Sequence, residues 1–220
     1  METSIAFDDL PPRTKSSSRP EVVPPDPHPA PPADLRLRRL PIHEARSSWI
    51  RSHPLSFDPL YFGRAGTNRF DAPAGQYGVL YVAGDFHGAF IETFGRLLGA
   101  RGITTHRLAA RTFAEVAQNR PLQLVDLTGP GLAHVGADNR LASGSYDLSQ
   151  RWALAFYEHP DQPDGILYRS RHDPSRLCAA IFDRAADALT AASLGSLADP
   201  HNVVLLADLL DAYEFSLVVI

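Results

Sequence analysis

From Leu35 onward the chain alternates short apolar runs with stretches of helical spacing, whereas residues 1–34 carry little apolar pattern. "YGVLYVA" (77–83), between Gly- and Pro-rich segments, predicts a strand. "HGAFIETFGRLLGA" (87–100) places Phe90, Ile91, Phe94, Leu97 and Leu98 at helical spacing and predicts a helix with one face in the core. "THRLAARTF" (105–113) and "LQLVDLTG" (122–129) read as strands, the second closing at Thr128-Gly129. "DLSQRWALAFYEH" (147–159) reads as a helix, with Asp147 or Ser149 as N-cap and His159-Pro160 as its stop. "DGILYRSRHDP" and "RLCAAIFDR" predict a strand pair around a turn at His172-Asp173-Pro174-Ser175; "VVLLADLLDAY" predicts a helix, followed by a last strand, "FSLVVI". Strands and helices lack strand-helix-strand regularity, so the pattern predicts an α+β fold with a mixed or antiparallel sheet rather than a doubly wound one.

Composition adds a boundary. Residues 1–34 are dense in Pro and Ser and cannot bury enough surface to offset the entropy of ordering, so they read as a disordered arm before one folded domain, 35–220. Such composition fits a solvated tail better than a ligand for a proline-binding module. A length of 220 residues, 44% hydrophobic, suits a single buried core. The formal charge of −4 and pI near 6.1 give no bulk attraction for nucleic acid, so any anion site must be local. The lone cysteine, Cys178, lies in an apolar run and reads as buried filler in a reducing compartment. With no long apolar run and no signal-peptide order at the N-terminus, the expectation is a cytoplasmic protein without a membrane partner.

Two sets of residues suggest chemistry. Gly84-Asp85-Phe86-His87-Gly88 has the GDxHG form that opens a binuclear phosphoesterase site. Such a site needs a bridging carboxylate and further Asn and His ligands, and neither "VGADNR" nor "DPHNVV" supplies them at the right spacing. A helix start at Gly84 or Asp85 explains the stretch better, and no metal site is expected. His87, His159 and His172 have no metal-ligand spacing and read as loop or cap residues. The second set is Arg51, Arg64 and Arg69 among Gly and Pro, suited to bidentate phosphate capture or to surface ion pairing, with Tyr81 and Glu92 downstream. Glu92 interrupts an apolar helix face and needs partners there; pairing with Arg96 at i,i+4 is the plain alternative, as burial in the core is for Tyr81.

The ordered blocks "WIRSHP", "PLYFGRAGTNRFDAPAGQYGVLYVAGDFHGAFIETFGR", "LVDLTGPGLAHVGADNRL" and "YDLSQRWALAFYEHPDQPDGILYRSRHDPSRLCAAIFDR" resemble the RES domain over about residues 36–220. The resemblance implies an ADP-ribosyltransferase-like fold and a toxin of a toxin–antitoxin pair that consumes NAD+ by hydrolysis, phosphorolysis or ADP-ribosyl transfer. NAD+ is then substrate rather than cofactor. It also implies an antitoxin partner with an Xre-like helix-turn-helix, and leaves room for a homodimer within that complex. Carried over by position, it assigns the family's two arginines to Arg51 and Arg69, its strand Tyr to Tyr81, its helix Glu to Glu92 and its Ser to Ser170. Two departures stand out: Phe70 follows Arg69 where Trp is commoner, and the Ser170 block lacks the usual preceding Pro. The implied roles are diphosphate or ribose binding for the arginines and stacking on nicotinamide for Tyr81. Glu92 would stabilise a cationic ribose, and Ser170 would orient Glu92 or a ribose hydroxyl.

Overall fold

The computed structural model describes residues 29–96 and 101–219. Ten strands and six helices follow in order: β1 (Ile42–Ala45), β2 (Trp49–Pro54), β3 (Val79–Ala83), α1 (Phe86–Phe94), β4 (Gly102–Thr104), α2 (Thr105–Ala109), β5 (Arg111–Gln118), β6 (Leu122–Asp126), α3 (Pro130–Val135), α4 (Arg140–Ser143), α5 (Tyr146–Tyr157), β7 (Gly165–Arg169), β8 (Leu177–Phe182), β9 (Leu189–Gly195), α6 (Val203–Ala212) and β10 (Ser216–Val218). Eight strands form one sheet in the order β1-β6-β7-β8-β3-β2-β5-β9, antiparallel except for the β6–β7 pair; β10 and β4 pair in parallel beside it. The fold is the expected α+β type with a mixed, mostly antiparallel sheet.

Period-2 alternation sorts the strand residues between two apolar clusters. Val79 and Ala83 of β3, Ile166 of β7 and Phe182 of β8 pack with Phe90, Phe94, Trp152, Phe156 and Leu209 from α1, α5 and α6. Their neighbours Leu80, Val82, Leu167 and Ile181 join Trp49, Val116 and Leu124 on the other face. There the curled sheet closes over its own side chains, helped by Ala185 and Ala188 of a 3-10 turn, Asp183–Ala188.

Three local readings change. "THRLA" is the helix α2, because the Thr104 hydroxyl accepts from Arg107 N and caps a turn; the strand begins at Arg111. α5 starts from Ser145 rather than Asp147 or Ser149: Asp147 lies in its first turn, and Ser149 turns its hydroxyl back to Leu141 O. α1 spans Phe86–Phe94, and Leu97–Ala100 of the expected helix lie outside the described residues, as does the arm as far as residue 28. The GDFHG stretch starts α1, with the Asp85 carboxylate accepting from Gly88 N. The carbonyl of Pro29, the first described residue, accepts from Trp152 Nε1.

One weak seam in the sheet makes room for a site. β2 shares six register pairs with β5 but only Ile50↔Ala83 with β3. Beyond that pair the two strands part.

Candidate active site

A cleft of about 510 Å³ opens at this seam, lined by Arg51–Pro54 of β2, Tyr81–Ala83 of β3, Glu92 of α1, and residues of the 66–78 and 170–176 loops among others. Five arginines line it, Arg51, Arg69, Arg96, Arg111 and Arg171, against one carboxylate, Glu92. That imbalance, in a chain of net charge −4, gives the cleft a locally positive field.

Glu92 is held by Ser170. The Ser170 hydroxyl oxygen accepts from the backbone N–H groups of His172 (3.1 Å) and Asp173 (3.2 Å), and its hydrogen goes to Glu92 Oε1 at 2.5 Å. Two amides fill the hydroxyl's acceptor positions and fix the direction in which it donates. The supporting turn is itself tied down: Asp173 accepts from Ser175, Arg176 and the Tyr213 hydroxyl. Burial alone would raise the Asp173 carboxyl, but these hydrogen bonds hold it near about 2. Pairing of Glu92 with Arg96 is not what forms; Arg96 Nε donates instead to the Glu92 backbone carbonyl.

Arg69 comes from the loop between β2 and β3, which turns through left-handed backbone at Gly66 (φ 69°) and Gly75 (φ 71°). Its Nη1 donates to Gly144 O (2.8 Å) and Ser149 Oγ (3.3 Å), and its guanidinium lies 4.8 Å from the Tyr146 ring centroid. Its Nη2 is buried without a hydrogen-bond partner among the described residues. A buried, unmet donor on a charged group is costly, and the residue that carries it lines the cleft. Burial, and then nearby Arg171, lower the affinity of Arg69 for its proton; Tyr146 and Glu92 oppose this.

Arg51 sits differently. Alternation along β2 puts it on the Trp49 side, away from Tyr81, and its Nη1 and Nη2 donate to the carbonyls of Pro59 and Tyr61. Burial lowers it to about 10, so it stays charged at neutral pH and adds to the field of the cleft while bracing the 55–63 loop. Arg64, the third arginine of that segment, takes the ion-pair alternative with Asp183 and does not line the cleft. Tyr81 is half-buried with its ring in the cleft wall; its hydroxyl donates to Asp71 Oδ1 (2.9 Å) and accepts from Phe70 N (2.9 Å). Burial and the Asp71 carboxylate push this phenol far above its ordinary range.

The structure thus brings Arg69, Tyr81, Glu92 and Ser170 together and sets Arg51 behind them. It adds residues to which the sequence reading gave no place in the site: Arg96, Arg111, Arg171, His53 and His172 in the wall, and Asp71 beneath it. Arg111 is aimed by Ser52, through Oγ (3.0 Å) and the carbonyl (3.1 Å). His172 lines the cleft rather than serving only as a turn residue, and burial lowers its pKa against the opposing pull of Glu92. Arg171 and His172 directly follow Ser170, which is the one sequence signal that could have flagged them. Cys178 is buried at the cleft wall, its thiol raised by burial and by Glu92, and stays protonated. Asp85 pairs with Arg176 and His87 approaches Asp208, so GDFHG serves the helix start.

The RES domain matches residues 36–203. "Probable toxin y4kH" of Sinorhizobium fredii is 34% identical over 127 residues, spanning 56% of this chain and 98% of that protein. In the crystal structure of the M. tuberculosis MbcT-MbcA toxin-antitoxin complex, one chain superposes with a TM-score of 0.56 at 17% identity, covering 75% of this chain and 94% of that one, which shows a shared fold. A domain match over most of the chain, ending beyond the Glu92–Ser170 pair, carries the conclusion: this protein belongs to the RES domain family.

Proposed function

We propose that the cleft binds NAD+ and breaks its nicotinamide–ribose bond, and that the protein is the toxin of a toxin–antitoxin pair. The observation that carries the chemistry is the Ser170–Glu92 hydrogen bond in an arginine-lined cleft. Cleaving the bond leaves a ribose with oxocarbenium character, so a carboxylate fixed beside it favours the transition state over the ground state. Ser170 engages Oε1 of Glu92 and leaves Oε2 to accept from a ribose hydroxyl. Arg69, in the cleft wall, meets the diphosphate, with Arg171 adding charge nearby. The Tyr81 ring offers its face to the cationic nicotinamide, as its hydroxyl is committed behind it. The C1′–N bond breaks with its electron pair going to the nicotinamide ring, and the nucleophile that then attacks C1′ decides between hydrolysis, phosphorolysis and transfer.

The toxin assignment is supported by the family, by the similar protein named a probable toxin, and by the shared fold with a chain of a toxin-antitoxin complex. An enzyme that drains NAD+ needs restraint, and a cognate antitoxin covering the arginine-lined mouth would supply it. Among the described residues no helix is long and apolar enough to cross a membrane. Induction of the wild-type chain and of Glu92→Ala, following colony growth and cellular NAD+, tests this reading. Arrest with NAD+ loss for the wild type alone is expected; equal toxicity of both, or arrest at constant NAD+, contradicts it.

A further inference from the structure

We infer that Asp71 is a positioning residue for the phosphate-binding arginine, closing the Asn68–Asp71 turn so that Arg69 is held in the cleft wall. The inference rests on the reading of Arg69 as the group that meets the dinucleotide's diphosphate. Asp71 is 1% exposed, yet no arginine or other cation pairs with it among the described residues. Its charge is met by hydrogen bonds alone. Oδ2 accepts from Asn68 N (2.9 Å) and Asn68 Nδ2 (3.1 Å), while Oδ1 accepts from the Tyr81 hydroxyl (2.9 Å). Tyr81 in turn accepts from Phe70 N, so the residues on both sides of Arg69 are fastened to one carboxylate and to one strand residue.

The rest of the turn is fastened equally. Gln150 Nε2 donates to the carbonyls of Gly66 (2.9 Å) and Asn68 (3.0 Å), and the Tyr77 hydroxyl donates to Phe70 O (3.2 Å). Burying a carboxylate in a loop costs several kcal/mol unless it is fully met, so a merely decorative acid would be exposed at this place. The arrangement instead uses a buried anion to order backbone donors. The only guanidinium nitrogen buried without a partner in the cleft wall lies on the residue between them, among the described residues.

Asp71→Asn keeps the size and can still accept from Tyr81, but turns an amide N–H toward Asn68 N, two donors facing each other. The experiment measures ADP-ribose affinity by calorimetry for the wild type, Arg69→Ala, Asp71→Asn and Arg69→Ala/Asp71→Asn, with thermal melts alongside. A shift of Arg69 by about 1 Å is expected to weaken ADP-ribose by about tenfold or more in Asp71→Asn. In the Arg69→Ala background the same change adds less than about twofold, because its effect runs through Arg69. Additive losses, or wild-type affinity in a folded Asp71→Asn protein, overturn the inference. If Arg69→Ala binds like the wild type, the phosphate reading itself fails instead. Should Asp71→Asn not fold, Tyr81→Phe keeps the ring but releases Asp71 Oδ1 and Phe70 N; it must then show the same dependence on Arg69, and independence from it overturns the inference.

Discussion

Two groups of arginine in this molecule invite comparison, those in ion pairs and those in the cleft. Away from the cleft, Arg38, Arg46, Arg64, Arg101, Arg120, Arg140, Arg151 and Arg176 each lie within ion-pair distance of an Asp or Glu. The five that line the cleft have no such partner among the described residues; Arg51, Arg69 and Arg111 are all lowered by burial. Both sets are the same side chain in the same acidic chain, so the difference is placement. Surface pairs gain little in high dielectric and trim local repulsion. Gathering unpaired guanidinium groups beside one carboxylate raises the energy of the empty cleft, and an anion relieves it. Such unpaired charge supports the proposed binding site over a folding device.

A crossed substitution breaks this comparison most sharply. Arg69→Ala should weaken ADP-ribose by about tenfold or more, the scale of a lost charge-assisted hydrogen bond, while unfolding stability moves by less than about 1 kcal/mol. Arg120→Ala should do the reverse. Asp164 is 7% exposed at its side chain and receives both Arg120 Nη1 (2.7 Å) and Nη2 (2.8 Å), so removing Arg120 should cost about 1–3 kcal/mol in denaturant unfolding with affinity unchanged. Equal effects of both variants on binding would erase the distinction.

A smaller effect comes from pH. The cleft imidazoles His53 and His172 are held below 6.5, each by burial first. His53 also faces Arg51 and Arg111; His172 faces Arg171, Arg96 and Arg69, with Glu92 opposing. For a base depressed in the folded state the unfolded chain binds protons first, so this contribution is complete above 6.5 and is lost as pH falls below it. Thermal melts from about pH 8 to about pH 5 should fall, and less so with His172→Ala. An unchanged pH slope in that variant would remove His172 from the cationic field.

Much of the fold was legible because its signals are local. The β7–β8 pair, α5, α6 and the last strand follow from apolar spacing and from Pro and Gly punctuation. α2 was misread because Thr104 is β-favouring by composition but acts through its hydroxyl as a cap. The order of the sheet depends on distant pairing, and with it the seam between β2 and β3. That seam selects which residues form the cleft, so Arg96, Arg111 and His53 could not be picked from their neighbours in sequence. Arg51 shows the same limit from the other side: its position matches the family, but strand alternation turns its guanidinium to the Pro59 and Tyr61 carbonyls. Glu92 and Ser170, 78 residues apart, carry no local signal that pairs them beyond the family resemblance; folding joins them by a hydrogen bond.

Nicotinamide release from NAD+ by the purified protein tests the account most directly, with wild type, Ser170→Ala and Glu92→Gln measured side by side. Glu92→Gln keeps the shape and the acceptor for Ser170 but removes the charge, and release should fall by on the order of 10² to 10³. Ser170→Ala should fall between the two, with its loss in turnover rather than in ADP-ribose affinity, since it frees a carboxylate that remains charged. Release by Glu92→Gln at the wild-type rate, or none by a folded wild-type protein, would contradict the claim that this cleft cleaves NAD+ through an oriented Glu92.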